Sequence, residues 1–436
     1  MNQYESWGRY PKVNQDDRAV RWRHELLPID EGDSSVLAYG QGRSYGDSCL
    51  NADGILLTTA ELSRFIHFDK EKGILRCEAG VTLEDVINHI MPFGWFLPVT
   101  PGTKFVSIGG ALANDIHGKN HHQAGNFGHH VLAFELLRSN GERFVCSRHE
   151  NQEYFYATIG GLGLTGFITW VEFKLIPVNN VYIENENIRL TCLDDFFDLT
   201  DESVDHPYTV SWIDSTAKGD SLGRGIFMRG SHAPSLEGEA AYAPPKQKAR
   251  VPFDFPGWTL NALTVRAFNT LYYAKQWQPR SMHRVHYEPF FYPLDMVKDW
   301  NRIYGQRGFL QYQSVMPYDG DRQPTRDLLE RIARSGLGSF LTVLKMFGSI
   351  ESLGMMSFPR PGITLALDFP FTGPETLHLL DELDAIVKEA GGALYPAKDA
   401  RMSSEMFQLS YPQWEAFERF IDPKFSSSFW RRVNPA

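Results

Sequence analysis

Cysteine is scarce in this chain of 436 residues. Its four cysteines (Cys49, Cys77, Cys146 and Cys192) lie far apart, and no two form a Cys-x-x-Cys pair. A structural zinc site or a disulfide framework needs paired or clustered thiols, so the sequence argues against both and fits a reducing compartment. Several histidines are closely spaced, but no acidic or cysteine partner lies at ligand spacing, and we expect no metal.

Long apolar runs are also missing. No stretch reaches the roughly 18 consecutive apolar residues that a membrane-spanning helix needs. The opening MNQYESWGRYPKVNQDD lacks the apolar core of a signal peptide. We therefore expect a cytoplasmic protein, with peripheral contact at the inner face of the membrane.

An excess of positive charge is absent too, since the chain has 43 Lys and Arg residues and 53 Asp and Glu residues, which gives a net charge of −10. This balance argues against nucleic-acid binding, so any anion site must be built locally. The hydrophobic content of 42% and aromatic content of 13% indicate a globular protein with large cores. The length predicts two or three domains.

What the chain does have is glycine in three dense loops. They read GQGRSYGD (40–47), TPGTKFVSIGGALANDIHG (100–118) and GGLGLTG (160–166). Loops of this kind let backbone N–H groups approach a phosphate that side chains would otherwise block. One such loop could be a plain turn, but three within 130 residues favour a long polyphosphate cofactor. None is a P-loop, and none lies in a clear dinucleotide-binding βαβ unit.

The pattern of secondary structure predicts an α+β fold. Short strands and hairpins dominate up to 177, including Val131–Leu137, and a helix is predicted from Thr82 to Met91 with Thr82 as its cap. From about 178, longer alternating strands such as FLQYQSVM and GITLALDFP predict a second, sheet-based domain. Near 390 the chain returns to a glycine-rich polar segment.

These motifs in their order carry a resemblance. GQGRSYGD, DIHGKNHH, GNFGHHV, GGLGLTG, FLQYQ and YPAKDAR together resemble the FAD-linked oxidases of the vanillyl-alcohol-oxidase type, and within them the decaprenylphosphoryl-β-D-ribose 2-oxidase family. The resemblance covers nearly the whole chain. It implies an FAD-binding domain built from 1–177 and 391–436, with a sheet-based substrate-binding cap of 178–390 inserted between them.

The resemblance also implies a set of site residues. The catalytic residues would be Lys398, Tyr395 and His117, and the substrate-binding residues Lys119, Gln311, Gln313 and Lys345. The residues expected to bind FAD are Gly40, Gly42, Arg43, Ser44, Tyr45, Gly46, Gly102, Thr103, Gly109, Gly110, Asn114, His117, Gly118 and Gly166. Without the resemblance, Lys398 reads as an ordinary solvated charge, and His121 and His122 read as structural residues.

The family implies an FAD-dependent oxidation of the 2-hydroxyl of a polyprenyl-phosphoryl ribose to a ketone. This is the first half of a 2-epimerisation in cell-wall arabinan synthesis, which a separate short-chain reductase completes. An alditol or aldonolactone oxidase acting on a free sugar is the alternative.

At two positions the residue differs from that of relatives. Arg43 stands where many of them carry a histidine bonded covalently to the flavin, so we expect non-covalent FAD. Ala366 stands where actinobacterial relatives carry a cysteine.

Segment 244–284 has an unusual composition. It carries seven Lys and Arg residues against one acid, Asp254, and interleaves them with aromatic and aliphatic residues. Part of it, from about 259 to 273, has the spacing of a helix. An ordinary helix buried on the cap sheet would explain the apolar residues. The mixture of basic and aromatic side chains also suits contact with an anionic lipid surface and a lipid-linked sugar phosphate.

Overall fold

The computed structural model describes residues 4–236, 249–318 and 320–434. The strands over these residues are Asp16–Ala19 (β1), Val36–Tyr39 (β2), Ile55–Thr58 (β3), Phe65–Asp69 (β4), Ile74–Glu78 (β5), Trp95–Phe96 (β6), Val131–Leu137 (β7), Arg143–Ser147 (β8), Phe167–Lys174 (β9), Ile176–Pro177 (β10), Tyr182–Leu190 (β11), Tyr208–Ile213 (β12), Gly225–His232 (β13), Ala249–Arg250 (β14), Arg280–His286 (β15), Val297–Lys298 (β16), Phe309–Met316 (β17), Thr342–Phe347 (β18), Gly362–Pro370 (β19) and Ala393–Leu394 (β20).

The α-helices over the same residues are Leu83–Ile90 (α1), Ile108–Ala113 (α2), His121–Ala124 (α3), Gln152–Thr158 (α4), Leu193–Glu202 (α5), Ala262–Lys275 (α6), Tyr287–Phe291 (α7), Gln323–Ser335 (α8), Pro374–Glu389 (α9), Ser404–Ser410 (α10), Trp414–Glu418 (α11) and Ser428–Val433 (α12). Short 3-10 turns connect several of them. The mixture of helices and sheets confirms the predicted α+β class.

The N-terminal part contains two main sheets. Strands β1, β3 and β2 form a parallel sheet, and the antiparallel order β4-β5-β9-β7-β8 forms a second. Helix α1 begins as predicted, because the Thr82 hydroxyl accepts from Asp85 N–H at 3.1 Å and the Asp85 carboxylate accepts from Thr82 N–H at 3.0 Å. Its apolar side packs into the core with the second sheet.

A large antiparallel sheet follows, in the order β15-β11-β13-β12-β18-β19-β17-β20. Strands β17 and β19 are buried along most of their length, so both faces of each strand are covered and not one face as the predicted alternation implied. Helices α8 and α9 contribute Leu328, Leu329, Leu379 and Leu383 to the largest apolar core of the described chain. The sheet runs past 390, because β20 pairs with β17 at Ser314–Leu394 and Val315–Ala393.

The end of the chain returns to its beginning. Val36 N–H donates to the Lys424 carbonyl at 2.7 Å, and Ser426 N–H donates to the Val36 carbonyl at 3.0 Å. The Arg432 guanidinium bridges two segments distant in sequence, lying 2.8 Å from the Asp47 carboxylate and 2.9 Å from that of Asp399. These contacts fix the first glycine loop against the segment that carries Lys398.

Candidate active site

A cavity of about 620 Å³ lies where the glycine loops meet the large sheet. This volume is within the roughly 300–1,000 Å³ typical of small-molecule and cofactor sites. One wall consists of the glycine loops and the first turn of α2. The facing wall consists of side chains from β17, β18 and β19 and from the 3-10 turn Pro396–Lys398.

Apart from Gly46, every residue that the sequence assigned to the cofactor, the substrate or catalysis lines this cavity. Gly46 has another role. A Cβ atom added there would lie 1.7 Å from the Asp399 carbonyl oxygen, so only glycine lets the loop pack on the turn that follows Lys398. Next to it, Tyr45 N–H donates to the Ala397 carbonyl at 2.8 Å. Gly46 therefore joins the two walls.

The first glycine loop offers unused backbone donors. Within the described residues, the amides of Gly42, Arg43 and Ser44 have no hydrogen-bond acceptor, and all three residues line the cavity. Gly42 has a φ of +59°, and a Cβ there would lie 2.0 Å from the Tyr39 hydroxyl. Consecutive free N–H groups around such a residue form an anion-binding concavity.

The second loop allows close packing of the backbone and offers no free N–H groups at its two adjacent glycines. Gly109 N–H already donates to the Ala79 carbonyl at 2.8 Å, and Gly110 N–H donates to the Ser107 hydroxyl at 3.3 Å. A Cβ at Gly109 would lie 2.9 Å from the Ala79 side chain. These glycines therefore let α2 pack tightly beside the cavity, and their amides are not available to a phosphate.

Arg43 supplies positive charge between two aromatic rings. Its guanidinium carbon lies 4.1 Å from the Trp7 ring centroid and 5.3 Å from that of Phe105. Its Nε is buried and has no partner within the described residues. Burial lowers the pKa of Arg43, although the nearby Asp295 carboxylate opposes the shift. An unpaired buried donor at the cavity wall suits an anionic or carbonyl group of a ligand.

His117 is held on both sides. Its Nε2 lies 3.0 Å from the Gln313 amide nitrogen, and its Nδ1 lies 3.1 Å from Lys345 Nζ. Burial, reinforced by the Lys345 charge, holds the pKa of His117 well below its ordinary value, so the ring is neutral. A neutral imidazole has one N–H and one bare nitrogen, so one of these two partners must act as the acceptor.

Lys345, which is buried, and Lys119, which is half-buried, both line the cavity. Lys345 Nζ donates to the Gly118 carbonyl at 2.5 Å. Burial lowers the pKa of Lys345 to about 7, with a contribution from Lys119, and lowers the pKa of Lys119 to about 8. Each ammonium group therefore gains from an anionic ligand group, which would restore its charged form.

Lys398 lies at the junction of the two walls. Its Nζ is 3.9 Å from the Tyr45 ring centroid. Burial lowers the pKa of Lys398 to about 8, and the Asp368 carboxylate acts in the opposite direction. A lysine near this pKa has an appreciable neutral fraction at moderately alkaline pH and can accept a proton from a hydroxyl.

Asp368 is a residue of the site that the sequence reading missed. It lies directly across the β17–β19 ladder from Gln311, whose amide donates to Asp368 Oδ1 at 2.6 Å. The Tyr304 hydroxyl donates to the other oxygen at 3.4 Å. Burial raises the pKa of Asp368 to about 7. The available signal was a lone carboxylate inside the apolar run GITLALDFP, since unpaired charges are rarely buried.

Tyr395 lines the cavity, but its hydroxyl is already used. The hydroxyl donates to the Asn114 carbonyl at 2.9 Å, and the ring stacks on Phe358 with centroids 4.5 Å apart. Burial raises the pKa of Tyr395 above its ordinary value. This geometry favours a positioning role for Tyr395 over the catalytic role that the resemblance implied.

The neighbouring histidines do not line the cavity. His121 is fully buried against Phe347, with ring centroids 4.4 Å apart, and burial lowers its pKa to about 3. His122 Nε2 lies 2.8 Å from the His206 carbonyl oxygen. Within the described parts of the chain, no three His, Cys, Asp or Glu side chains are placed to hold a metal ion.

The cavity fits FAD on two observations: free amides in the first loop and an unpaired buried guanidinium nitrogen. The comparisons with known proteins agree. Residues 29–147 match a family of FAD-binding domains. Fold, cavity and match together define an FAD-dependent oxidoreductase.

The relatives narrow the class further. The chain is 37% identical to the decaprenylphosphoryl-β-D-ribose oxidase of Mycolicibacterium smegmatis, over 98% of this chain and 96% of that protein. It is 32% identical to an uncharacterised Streptomyces coelicolor protein from the mprA 5′ region, over 81% of this chain and all of that protein. An L-gulonolactone oxidase of Scyliorhinus torazame is 25% identical over 43% of this chain and 44% of its own. The chain therefore belongs to the decaprenylphosphoryl-β-D-ribose oxidase family.

Proposed function

We propose that this protein oxidises the 2-hydroxyl of a polyprenyl-phosphoryl ribose to a ketone, with FAD as its cofactor. The observation that carries the proposal is the end-to-end similarity to the Mycolicibacterium smegmatis oxidase together with a cavity lined by Lys398, His117 and Gln311. Similarity to L-gulonolactone oxidase covers less than half of the chain, so oxidation of a free sugar is the less supported alternative.

Different residues of the cavity have different roles in this reaction. FAD, when bound, supplies the two-electron acceptor for the hydride of the carbinol carbon. Lys398 in its neutral form takes the hydroxyl proton, so that one proton and one hydride leave the alcohol and a ketone remains. Gln311 and Gln313 point from one face of β17 and orient the sugar hydroxyls. Lys119 and Lys345 place positive charge where the anionic lipid phosphate can offset the cost of their burial.

The FAD-binding unit in this proposal consists of 1–177 and the C-terminal segment, with the large sheet as an inserted cap. Contacts of Lys424 and Ser426 with Val36 support the two-part unit. Pairing of β20 with β17 supports a boundary slightly later than 390.

FAD is non-covalent in this proposal, because Arg43 occupies the position of the flavin-bonded histidine of other oxidases. Acid precipitation of the yellow protein should then release the flavin into the supernatant. Flavin retained in the washed pellet would contradict non-covalent binding without bearing on the substrate.

The ketone requires a second enzyme to complete the epimerisation, and a short-chain reductase has the matching chemistry. No helix within the described residues is long and apolar enough to cross a membrane. A lipid-linked substrate is the reason to propose peripheral contact with the inner face of the membrane.

The direct test is the product. The holoenzyme is incubated with polyprenyl-phosphoryl ribose, and the lipid phosphate is analysed by mass spectrometry. We expect a product lighter by two hydrogens that regains them on borohydride reduction, and no such product with Lys398→Ala. Oxidation of alditols or aldonolactones with no change in the lipid phosphate would overturn the proposal in favour of the free-sugar alternative.

A further inference from the structure

Large apolar side chains are unusually exposed around α6. Fifteen of them are exposed over the described residues, and seven of these fall between 253 and 282. We call four of them, together with two basic neighbours, the α6 surface: Trp258, Leu263, Leu271, Trp277, Arg266 and Lys275. Trp258 is 77% exposed, Leu263 75% and Leu271 73%. Side chains of this size normally leave water, so a concentration of them marks an interaction site.

The helix itself is held by a narrow stripe. Only Val265, Asn269 and Tyr273 are buried among its residues. Asn269 donates to Asp214 Oδ1 at 2.9 Å and to the Ser339 carbonyl at 3.0 Å, and the Tyr273 hydroxyl donates to the Leu190 carbonyl at 2.9 Å. Phe268 and Tyr272 add ring contacts with Phe340 and Trp212, and the side of α6 away from all these contacts is free to meet a partner.

The face opposite this stripe is apolar. Helical periodicity places Leu263, Ala267, Leu271 and Ala274 on it, and all four are exposed. Helix α9 on the same large sheet shows the ordinary pattern, since its exposed positions include Glu375, Asp381 and Lys388. The apolar outer face of α6 is thus a local property of this helix.

Positive charge accompanies the apolar face. Between 249 and 284, Asp254 is the sole acid, and it forms an ion pair with Arg9 at 2.7 Å. Arg266 and Lys275 on α6 are exposed and have no ion-pair partner within the described residues. The protein carries a net charge of −10, so this concentration of base runs against its overall balance.

Two residues beside the α6 surface, Leu260 and Phe268, connect this region to the residues around the cavity. Phe268 contacts Phe340 with centroids 5.6 Å apart, and Phe340 stacks on Tyr304 at 5.8 Å. Leu260, just before the helix, packs with the cluster around Trp300, which lines the cavity. Packing of Leu260 and Phe268 therefore places α6 next to residues that border the cavity. Residues 244–248 of the basic segment lie outside the described parts of the chain.

We propose that the α6 surface docks onto an anionic phospholipid bilayer and holds the cavity close to its lipid-linked substrate. Exposed Trp and Leu side chains enter the boundary between head groups and acyl chains, while Arg266 and Lys275 meet the anionic head groups. This inference rests on the proposed function, because a lipid-linked substrate gives the enzyme a reason to bind a bilayer. Lipid binding itself can be measured without turnover. Protein interfaces also combine an apolar centre with a polar rim, so the lipid-linked substrate and the local excess of basic residues are what favour a bilayer over a protein partner.

The test is co-sedimentation of the full holoenzyme with phosphatidylcholine vesicles, with and without phosphatidylglycerol, at low and high salt. Binding should require phosphatidylglycerol and weaken as salt increases. Arg266→Gln with Lys275→Gln should weaken partitioning about 30-fold, since each nearby basic residue contributes about 1 kcal/mol. Leu263→Gln with Leu271→Gln should weaken it more than about tenfold.

The matched control is Leu26→Gln with Leu409→Gln, which changes exposed leucines on other parts of the protein and should leave binding unchanged. Absence of wild-type binding, binding that ignores phosphatidylglycerol, or equal loss in the control would overturn the docking surface. Self-association abolished by the α6 variants, seen by sedimentation without vesicles, would assign the surface to a second copy of the chain instead.

Flavin reduction by a short-chain, water-soluble phosphoryl ribose separates the two proposals. It should proceed at the wild-type rate in the α6 variants without vesicles. If vesicle binding fails while this reduction proceeds, the docking surface is wrong and the proposed oxidation stands. If vesicle binding holds while reduction fails, the docking surface stands and the oxidation is wrong.

Discussion

The two walls of the cavity are built in different ways. The glycine wall is made mostly of backbone, and its specificity lies in free amides at 42–44 and in close approaches that a Cβ would forbid. The titratable side chains come from the facing wall, as Lys345, Asp368 and Lys398, and from the end of the second glycine loop, as His117 and Lys119. Asp368 reaches the site through Gln311, while the others line the cavity directly.

The difference reflects two tasks. A cofactor with fixed shape and charge is held well by rigid backbone, since backbone donors have no rotamers to order. A reacting alcohol needs groups whose protonation can change, and burial brings the pKa values of Lys398 and Lys119 to about 8 and that of Lys345 to about 7. Substitutions in the first wall should therefore affect folding and FAD retention, and those in the second should affect chemistry.

The largest effect is expected for Lys398→Ala. Loss of the proton acceptor should slow substrate-dependent flavin reduction by ~10²–10⁴-fold while FAD stays bound. Stopped-flow measurement of flavin bleaching tests this. Lys388→Ala, an exposed lysine paired with Glu405, is the control and should bleach normally. A native rate in Lys398→Ala would make Lys398 a bystander.

A smaller effect, of a different kind, is expected for Gly46→Ala. The new Cβ meets the Asp399 carbonyl, so the first loop or the turn behind Lys398 must shift, at a cost of about 1–3 kcal/mol. Thermal unfolding followed by flavin fluorescence should show a lower Tm and earlier FAD release. Gly32→Ala, where a Cβ meets no atom within 4 Å, should leave both unchanged. Equal behaviour of the two variants would contradict the packing argument.

Asp368→Asn should change the pH dependence of flavin reduction more than the maximum rate of that reaction. The Asp368 carboxylate raises the pKa of Lys398, so its removal lowers that pKa and makes the neutral amine available at lower pH. The pH at which flavin reduction rises, near 8 in the wild type, should move to a lower value. Asp327→Asn, which removes an exposed carboxylate on α8, is the control and should leave the profile in place. An unmoved profile in Asp368→Asn would show that the carboxylate does not act on Lys398.

The smallest effect is expected for Tyr395→Phe. The hydroxyl donates to Asn114 and its pKa is raised, so its removal should cost about 1 kcal/mol of stability and change the reduction rate less than about threefold. Urea unfolding and stopped-flow reduction measure the two quantities. A rate loss comparable to that of Lys398→Ala would restore Tyr395 as a catalytic residue.

Features set by local sequence were predicted well. Strands β17 and β19 begin and end where their apolar patterns do, and α1 begins after the predicted cap, Thr82. Helix α6 starts at Ala262 instead of about 259, because the Asn261 side chain accepts from Leu263 N–H and Thr264 N–H and so caps the helix there. The prediction that His117 and Lys398 share one site depended on the glycine loops and on the family resemblance.

Features set by register and topology were not predicted. The Asp368–Gln311 contact depends on the antiparallel pairing of β17 with β19, which single-strand patterns do not specify. The engagement of the Tyr395 hydroxyl with Asn114 joins residues 281 positions apart. The use of the Gly109 and Gly110 amides within the protein likewise follows from how α2 packs, although both glycines line the cavity.

The most direct test of the account compares substrates under anaerobic single-turnover conditions, with the flavin spectrum as the readout. The account predicts rapid bleaching of the wild-type flavin by polyprenyl-phosphoryl ribose, slow or no bleaching by alditols and aldonolactones, and loss of the rapid phase in Lys398→Ala. Rapid bleaching by free sugars with none by the lipid-linked ribose would contradict it.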